Sequence, residues 1–208
     1  MAKIIAVDLH YFPNLEFFAA ISGSDELLFF PEEIYQRQSF FNRVQIRLAN
    51  KVGALSVPIK GRRPRLSLKD IKIDYSQNWL NTHVRSIQSA YGKAPFYEYY
   101  FPYFEQVFQK KPESLWELNW EILTICLSLL RMPAKMRVFD SSVEDPWSED
   151  IRGQLVPSVP FSERGYYNAS PYFQLFGLDF EPNLSILDLL FCEGPAAKEI
   201  VLKSVKKQ

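Results

Sequence analysis

Cysteine and histidine are scarce, with two of each in 208 residues. Cys126 and Cys192 lie in apolar runs (LTICLSLL and LLFCEG), with no CxxC pair and no His-rich cluster. A zinc site is therefore not expected, and both thiols read as free and buried. Net charge is also missing: 24 basic residues balance 24 acidic ones. No global field then recruits nucleic acid or an acidic membrane. Long hydrophobic runs are absent too. The longest, around Ile122 to Leu130, is too short to span a bilayer, and MAKIIAVDLH is too short for a signal peptide. The expected location is the cytoplasm, without membrane insertion.

Motifs that would name a reaction are lacking as well. GxSxG does not occur, which argues against a hydrolase triad on a nucleophile elbow. Neither GxxxxGK nor GxGxxG is present, which excludes a P-loop and a conventional dinucleotide fingerprint. No cofactor and no metal is implied.

Aromatic residues are abundant, at 15% of the chain, with 17 Phe, 11 Tyr and 4 Trp. Many must fill a core, and Tyr-rich runs such as PFYEYYFPYF also suit stacking surfaces. KIIAVDL is a short apolar run of the kind buried on both faces of a sheet. NLEFFAAIS has helical spacing and ends in GSD, and ELLFF is strand-like again. The opening therefore reads as a β-α-β unit. His10 and Tyr11 stand at the carboxyl end of its first strand, where open α/β sheets gather ligands.

VQIRLANKVGALSVPI alternates about NKVG and predicts an antiparallel hairpin, with an edge strand to follow at IKID. Between them, IKGRRPRLSLKDIK carries six basic residues (Lys60, Arg62, Arg63, Arg65, Lys69, Lys72) against one acid, Asp70. It reads as a solvated loop or as a mobile arm that closes over phosphate or carboxylate. From Ser76 the chain turns helical, with Trp79, His83, Ile87 and Tyr91 on one i, i+4 stripe. A second helix starts at Pro95. A third starts at Ser114, where SLWE is a capping box closed by Glu117. KMRVF predicts a further strand. DSSVEDPWSED, with five acids and no base, opens a loop-like stretch running to about Tyr172. Two helices split by EGP close the chain.

Few residues are left to carry chemistry. His10 is either a structural hydrogen-bonder or a general base, and His83 shares its helix face with two aromatics. Asn42 and Arg43 stand at the start of a strand, where an arginine forks onto carboxylate or phosphate as readily as onto a surface acid. In FEPNLSILDLLF, Ser185 and Asp188 fit a capping box, which leaves Asn183 free to order a pocket or contact a ligand.

Four segments, HYFPNLEFF, FFNRVQI, WLNTHVRSIQSAYGKAPFYEYY and PNLSILDLLFCEGP, occur in an order and spacing that resembles the WbqC-like proteins. Where many members carry Gln-Pro before the Tyr-Phe-Pro turn, this chain has Asp8, Leu9 and His10. The resemblance covers nearly the whole chain and implies one domain over residues 1–208. It also implies a bacterial protein, some of whose relatives occur with genes for O-antigen and other surface sugars. The expectation is an α/β domain with a mixed sheet, built from the β-α-β unit and the hairpin, and a C-terminal half rich in helices. Its function would be group transfer, aminoacyl or acyl, onto an amino sugar or sugar nucleotide. His10 or His83 would act as the base, and Tyr11, Asn42, Arg43, Tyr91 and Asn183 would hold the ligand. The alternative is a non-catalytic protein that binds a metabolite or a partner. The sequence leaves the oligomeric state open.

Overall fold

The computed structural model describes residues 2–61, 65–142 and 147–206. Strands β1 (Ile4–Ala6), β2 (Glu26–Phe29), β5 (Lys135–Val138) and β6 (Glu149–Asp150) form a parallel sheet in the order β5-β2-β1-β6. Strands β3 (Arg43–Arg47) and β4 (Val52–Ser56) form a separate antiparallel hairpin, with Val44 opposite Leu55 and Ile46 opposite Gly53. The expected mixture of parallel and antiparallel strands is present, divided between two sheets. The expected edge strand at IKID is reduced to an isolated bridge between Ile59 and Ile73.

The helices are α1 (Leu15–Ala20), α2 (Trp79–Tyr91), α3 (Tyr97–Lys110), α4 (Leu115–Leu129), α5 (Ile186–Glu193) and α6 (Ala197–Lys203). Among the described residues, none is long and apolar enough to cross a membrane. The capping box at the start of α4 is closed in both directions: Glu117 N–H donates to Ser114 Oγ, and the Glu117 carboxylate accepts from Ser114 N–H. Helix α4 packs on the sheet through Trp120 against Phe29 of β2, ring centres 5.6 Å apart. Its Asn119 is fully buried, and the side-chain amide donates to the carbonyls of Leu9 and Phe41. One amide thus ties the turn after β1 to the residues before β3, so α4 positions both.

The Tyr-Phe-Pro turn lies inside the core. Phe12 takes a left-handed backbone (φ 42°), uncommon for a bulky residue. Edge-to-face contacts with Phe104 and Phe108 of α3 hold its ring. The turn also pairs with the segment before α5: Leu15 N–H donates to Leu184, Ile186 N–H to Pro13, and Ser185 Oγ to Phe12. Sequence positions about 170 apart therefore form one structural unit. Cys126 and Cys192 are free and buried.

Candidate functional site

Along the sheet the strands stand in chain order third, second, first, fourth, so the direction of strand addition reverses between β1 and β6. The carboxyl ends on either side of such a reversal splay apart and leave a crevice. Each strand delivers polar or charged groups to this edge. Asp8 follows β1, Glu33 follows β2, Asp140 follows β5, and Arg152 and Gly153 follow β6. A cavity of about 940 Å³ opens there, lined by Glu33, Asp140 and Arg152 together with Phe30 and Phe139.

Asp8 is only 5% exposed. Its Oδ2 accepts from Gly153 N–H at 2.8 Å, across the strand reversal, while Oδ1 has no donor among the described residues. Facing it is Glu33, whose pKa is raised to about 8. Burial is the largest cause, followed by the Asp8 charge and a hydrogen bond with Asp8, opposed by Arg152. With its pKa at about 8, Glu33 is protonated at neutral pH and forms a hydrogen bond with the Asp8 side chain. Arg152 is fixed beside them by two bonds to Asp150 (2.9 and 2.6 Å) and lies 3.7 Å from the Phe30 ring centre. Phe30 stacks on Phe139 at 4.5 Å, and Trp147 meets both edge-on. Glu33, Arg152, Phe30 and Phe139 thus line one opening, with Asp8 buried beside Glu33 and Trp147 packed against the two phenyl rings.

His10 sits behind this pair and does not line the cavity. It is 2% exposed, wedged among Phe17, Phe40 and Phe41, with Nε2 4.0 Å from Asp8 Oδ2. Burial pulls its pKa down to about 4, against the pull of Asp8 and with help from Arg164. The ring is neutral at physiological pH.

Tyr11 points away from His10 to a second location. Its hydroxyl is 2.9 Å from His83 Nδ1. A hydrogen bond with the Ser56 carbonyl also reaches the His83 ring, whose pKa burial lowers to about 4. A carbonyl only accepts, so the neutral ring carries its hydrogen toward Ser56 and accepts from Tyr11 at Nδ1. His83 lines a recess of about 320 Å³ with Trp79 and Thr82. A neighbouring recess of about 670 Å³ shares Ser56 and Gln77 with it and contains Asn42 and Arg43. There the Asn42 amide donates to Val57 (2.8 Å), and Arg43 Nε to Ser56 Oγ (3.2 Å).

Tyr91 and Asn183 are committed elsewhere. The buried Tyr91 hydroxyl accepts from Arg47 N–H and lies beside Asp188. Asn183, in a left-handed conformation (φ 55°), accepts from Glu16 N–H and donates to the Glu16 carboxylate. Glu16 is fully buried, and its two carboxylate oxygens accept from Nε and Nη2 of the Arg164 guanidinium. The expected capping box at Ser185 is only half made. Ser185 caps α5 by accepting from Leu187 N–H, but its own N–H donates to Gln45. Asp188 instead accepts from Tyr172 (2.7 Å) and Gln174 (2.9 Å).

The predicted residues thus do not meet in one cavity. Asn42, Arg43, His83 and Tyr11 gather around the hairpin and α2, His10 stands behind the sheet edge, and Tyr91 and Asn183 support the α5 region. In the basic segment, Arg62 and Arg63 lie outside the described residues. Lys69 pairs with Glu32 and Lys72 with Glu113, so these two charges are already balanced. Leu68 and Lys69 donate backbone bonds to Glu33 and Pro31, which fastens this stretch to the segment after β2. Sequence reasoning missed Asp8, Glu33 and Arg152. An acid just after a buried strand is a usable signal for Asp8; the other two follow only from strand order.

An uncharacterized protein of Mycobacterium tuberculosis is similar to this chain, at 24% identity over 96% of the chain and 97% of its own length. No solved structure matches it significantly. The WbqC-like protein family model matches residues 9–151, which takes in the turn after β1, the hairpin, α2 to α4 and the strand β6. The chain belongs to the WbqC-like protein family.

Proposed function

We propose that the protein transfers an acyl or aminoacyl group onto the amine or hydroxyl of an amino sugar or sugar nucleotide, at the carboxyl edge of the parallel sheet. The observation that carries the reading is Glu33, which lines a cavity large enough for such an acceptor and is backed by the buried Asp8. An attacking amine or hydroxyl must lose a proton, and a carboxylate with its pKa near the working pH is suited to take it. Glu33 has that role here, with Asp8 raising its basicity and Arg152 near enough to balance charge that develops on the acyl oxygen. As the bond between the acyl carbon and the donor's leaving group breaks, Glu33 passes the proton to that leaving group. The cavity-lining rings of Phe30 and Phe139 suit the apolar face of a sugar ring. The proton transfer expected of His10 or His83 passes to Glu33 in this scheme. His10 supplies the dry surroundings of Asp8, and His83 positions Tyr11. The surface-sugar part of the reading rests on the resemblance to relatives found beside such genes.

The test is turnover by the purified protein, given amino-sugar nucleotides and activated acyl donors, read as a mass increase of the acceptor. The activity should rise with pH and level off above about 8, where Glu33 is ionised. Glu33→Gln should fold normally and lose about 10²- to 10⁴-fold in kcat. Saturable acceptor binding with no turnover under any donor would replace this reading with that of a metabolite-binding protein.

A further inference from the structure

The sheet-edge cavity carries groups that the proton transfer does not use. Ile34 and Val138 line it, and these large apolar side chains are left 55% and 47% exposed. Val138 ends the edge strand β5, and Ile34 follows Glu33 in the segment after β2. Exposed apolar residues gathered in a concave place mark room for an apolar ligand. The charges of the same lining do not cancel. Arg152 is spent on Asp150, which accepts from Nε and Nη2 (2.9 and 2.6 Å), and Glu32 pairs with Lys69. Glu33 adds no charge when protonated and a negative one when ionised. Asp140 is left over. Its Oδ1 accepts from the N–H and hydroxyl of Ser142 (2.9 and 2.7 Å), which keeps its pKa below the usual carboxylate range. Among the described residues Asp140 forms no ion pair, so the lining needs a cation whatever the state of Glu33. A metal ion is a poor match, because among the described residues no three metal-ligating side chains stand together.

We propose that this cavity binds a primary ammonium group carried on an apolar body, with the ammonium on Asp140 and the body against Ile34 and Val138. An ammonium donates to the carboxylate in a charge-assisted hydrogen bond, and the apolar body covers side chains that water leaves unsatisfied. The chemistry of the ligand rests on the acyl-transfer reading, in which it is an aminoacyl donor with a large apolar side chain. Asp140 then separates an aminoacyl group from a plain acyl group. It also separates an activated donor from the free amino acid, whose own carboxylate the same lining repels. At about 940 Å³ the cavity has room for the acceptor sugar beside such a donor.

The experiment is calorimetric titration of the full chain, at about pH 6.5 where an α-amine is charged, with phenylalaninamide, glycinamide, hydrocinnamamide and glucosamine. Phenylalaninamide carries both the ammonium and the apolar body; glycinamide lacks the body and hydrocinnamamide lacks the ammonium. Phenylalaninamide should bind saturably and tighter than the other three. Asp140→Asn can keep the turn with Ser142, and it should weaken phenylalaninamide about fivefold or more while leaving hydrocinnamamide unchanged. Ile34→Ser combined with Val138→Ser should bring phenylalaninamide down to the level of glycinamide, with thermal melts showing an intact fold. No saturable binding, equal binding of hydrocinnamamide or glucosamine, or unaltered binding by Asp140→Asn would overturn the proposal. Phenylalaninamide binding without turnover of any aminoacyl donor would overturn the acyl-transfer reading and leave this site standing.

Discussion

Single residues here are governed by what burial does to a proton. His10 and His83 are held neutral, with pKa values lowered from 6.5 to about 4 mainly by burial. In the unfolded chain both take up protons near pH 6.5, so the folded state binds fewer protons between pH 6.5 and 4. Stability is therefore full above pH 6.5 and is lost as pH falls through that window. For His10 the loss amounts to about 3 kcal/mol at its limit. His10→Leu should flatten part of this acid limb in melts taken between pH 7 and 4. An unchanged limb would show that His10 is not buried neutral. The sequence marked His10 and His83 as special but could not say why. Rarity draws attention to a residue, whereas its job depends on neighbours such as Phe40 and Ser56 that only the fold supplies. Asn183 shows the same limit: its amide is used, but by Glu16, 167 positions away.

At the scale of elements the sequence was more legible. The β-α-β opening, the hairpin about NKVG, the α2 stripe, the α4 cap and β5 all follow from local pattern. β6 did not, because it is two acidic residues whose only claim to strand structure is backbone pairing with Ile5 and Ala6. The two capping signals diverge for a similar reason. Ser114 and Glu117 stand on a part-buried helix start where each can reach the other's N–H. Asp188 is fully buried and is drawn to Tyr172 and Gln174, which need an acceptor there. Ser114→Ala should accordingly cost about 1 kcal/mol in denaturant unfolding, the ordinary worth of an N-cap. A change near zero would mean that the box is not formed in solution.

For the whole molecule, the topology assembles what no segment contains. Asp8, Glu33 and Arg152 are scattered over 145 residues of chain, and they meet because the chain crosses from β5 to the far side of β1. That crossing seats Gly153 N–H on Asp8 Oδ2, beside Glu33. The central claim is that this edge holds Glu33 protonated at neutral pH beside the buried Asp8, and it is read most directly by carbon-detected NMR titration of the Glu33 carboxyl. The account predicts a midpoint near 8, lowered part of the way in Asp8→Asn, because burial, the largest cause of the shift, remains. A wild-type Glu33 that ionises near 4.5 would contradict it.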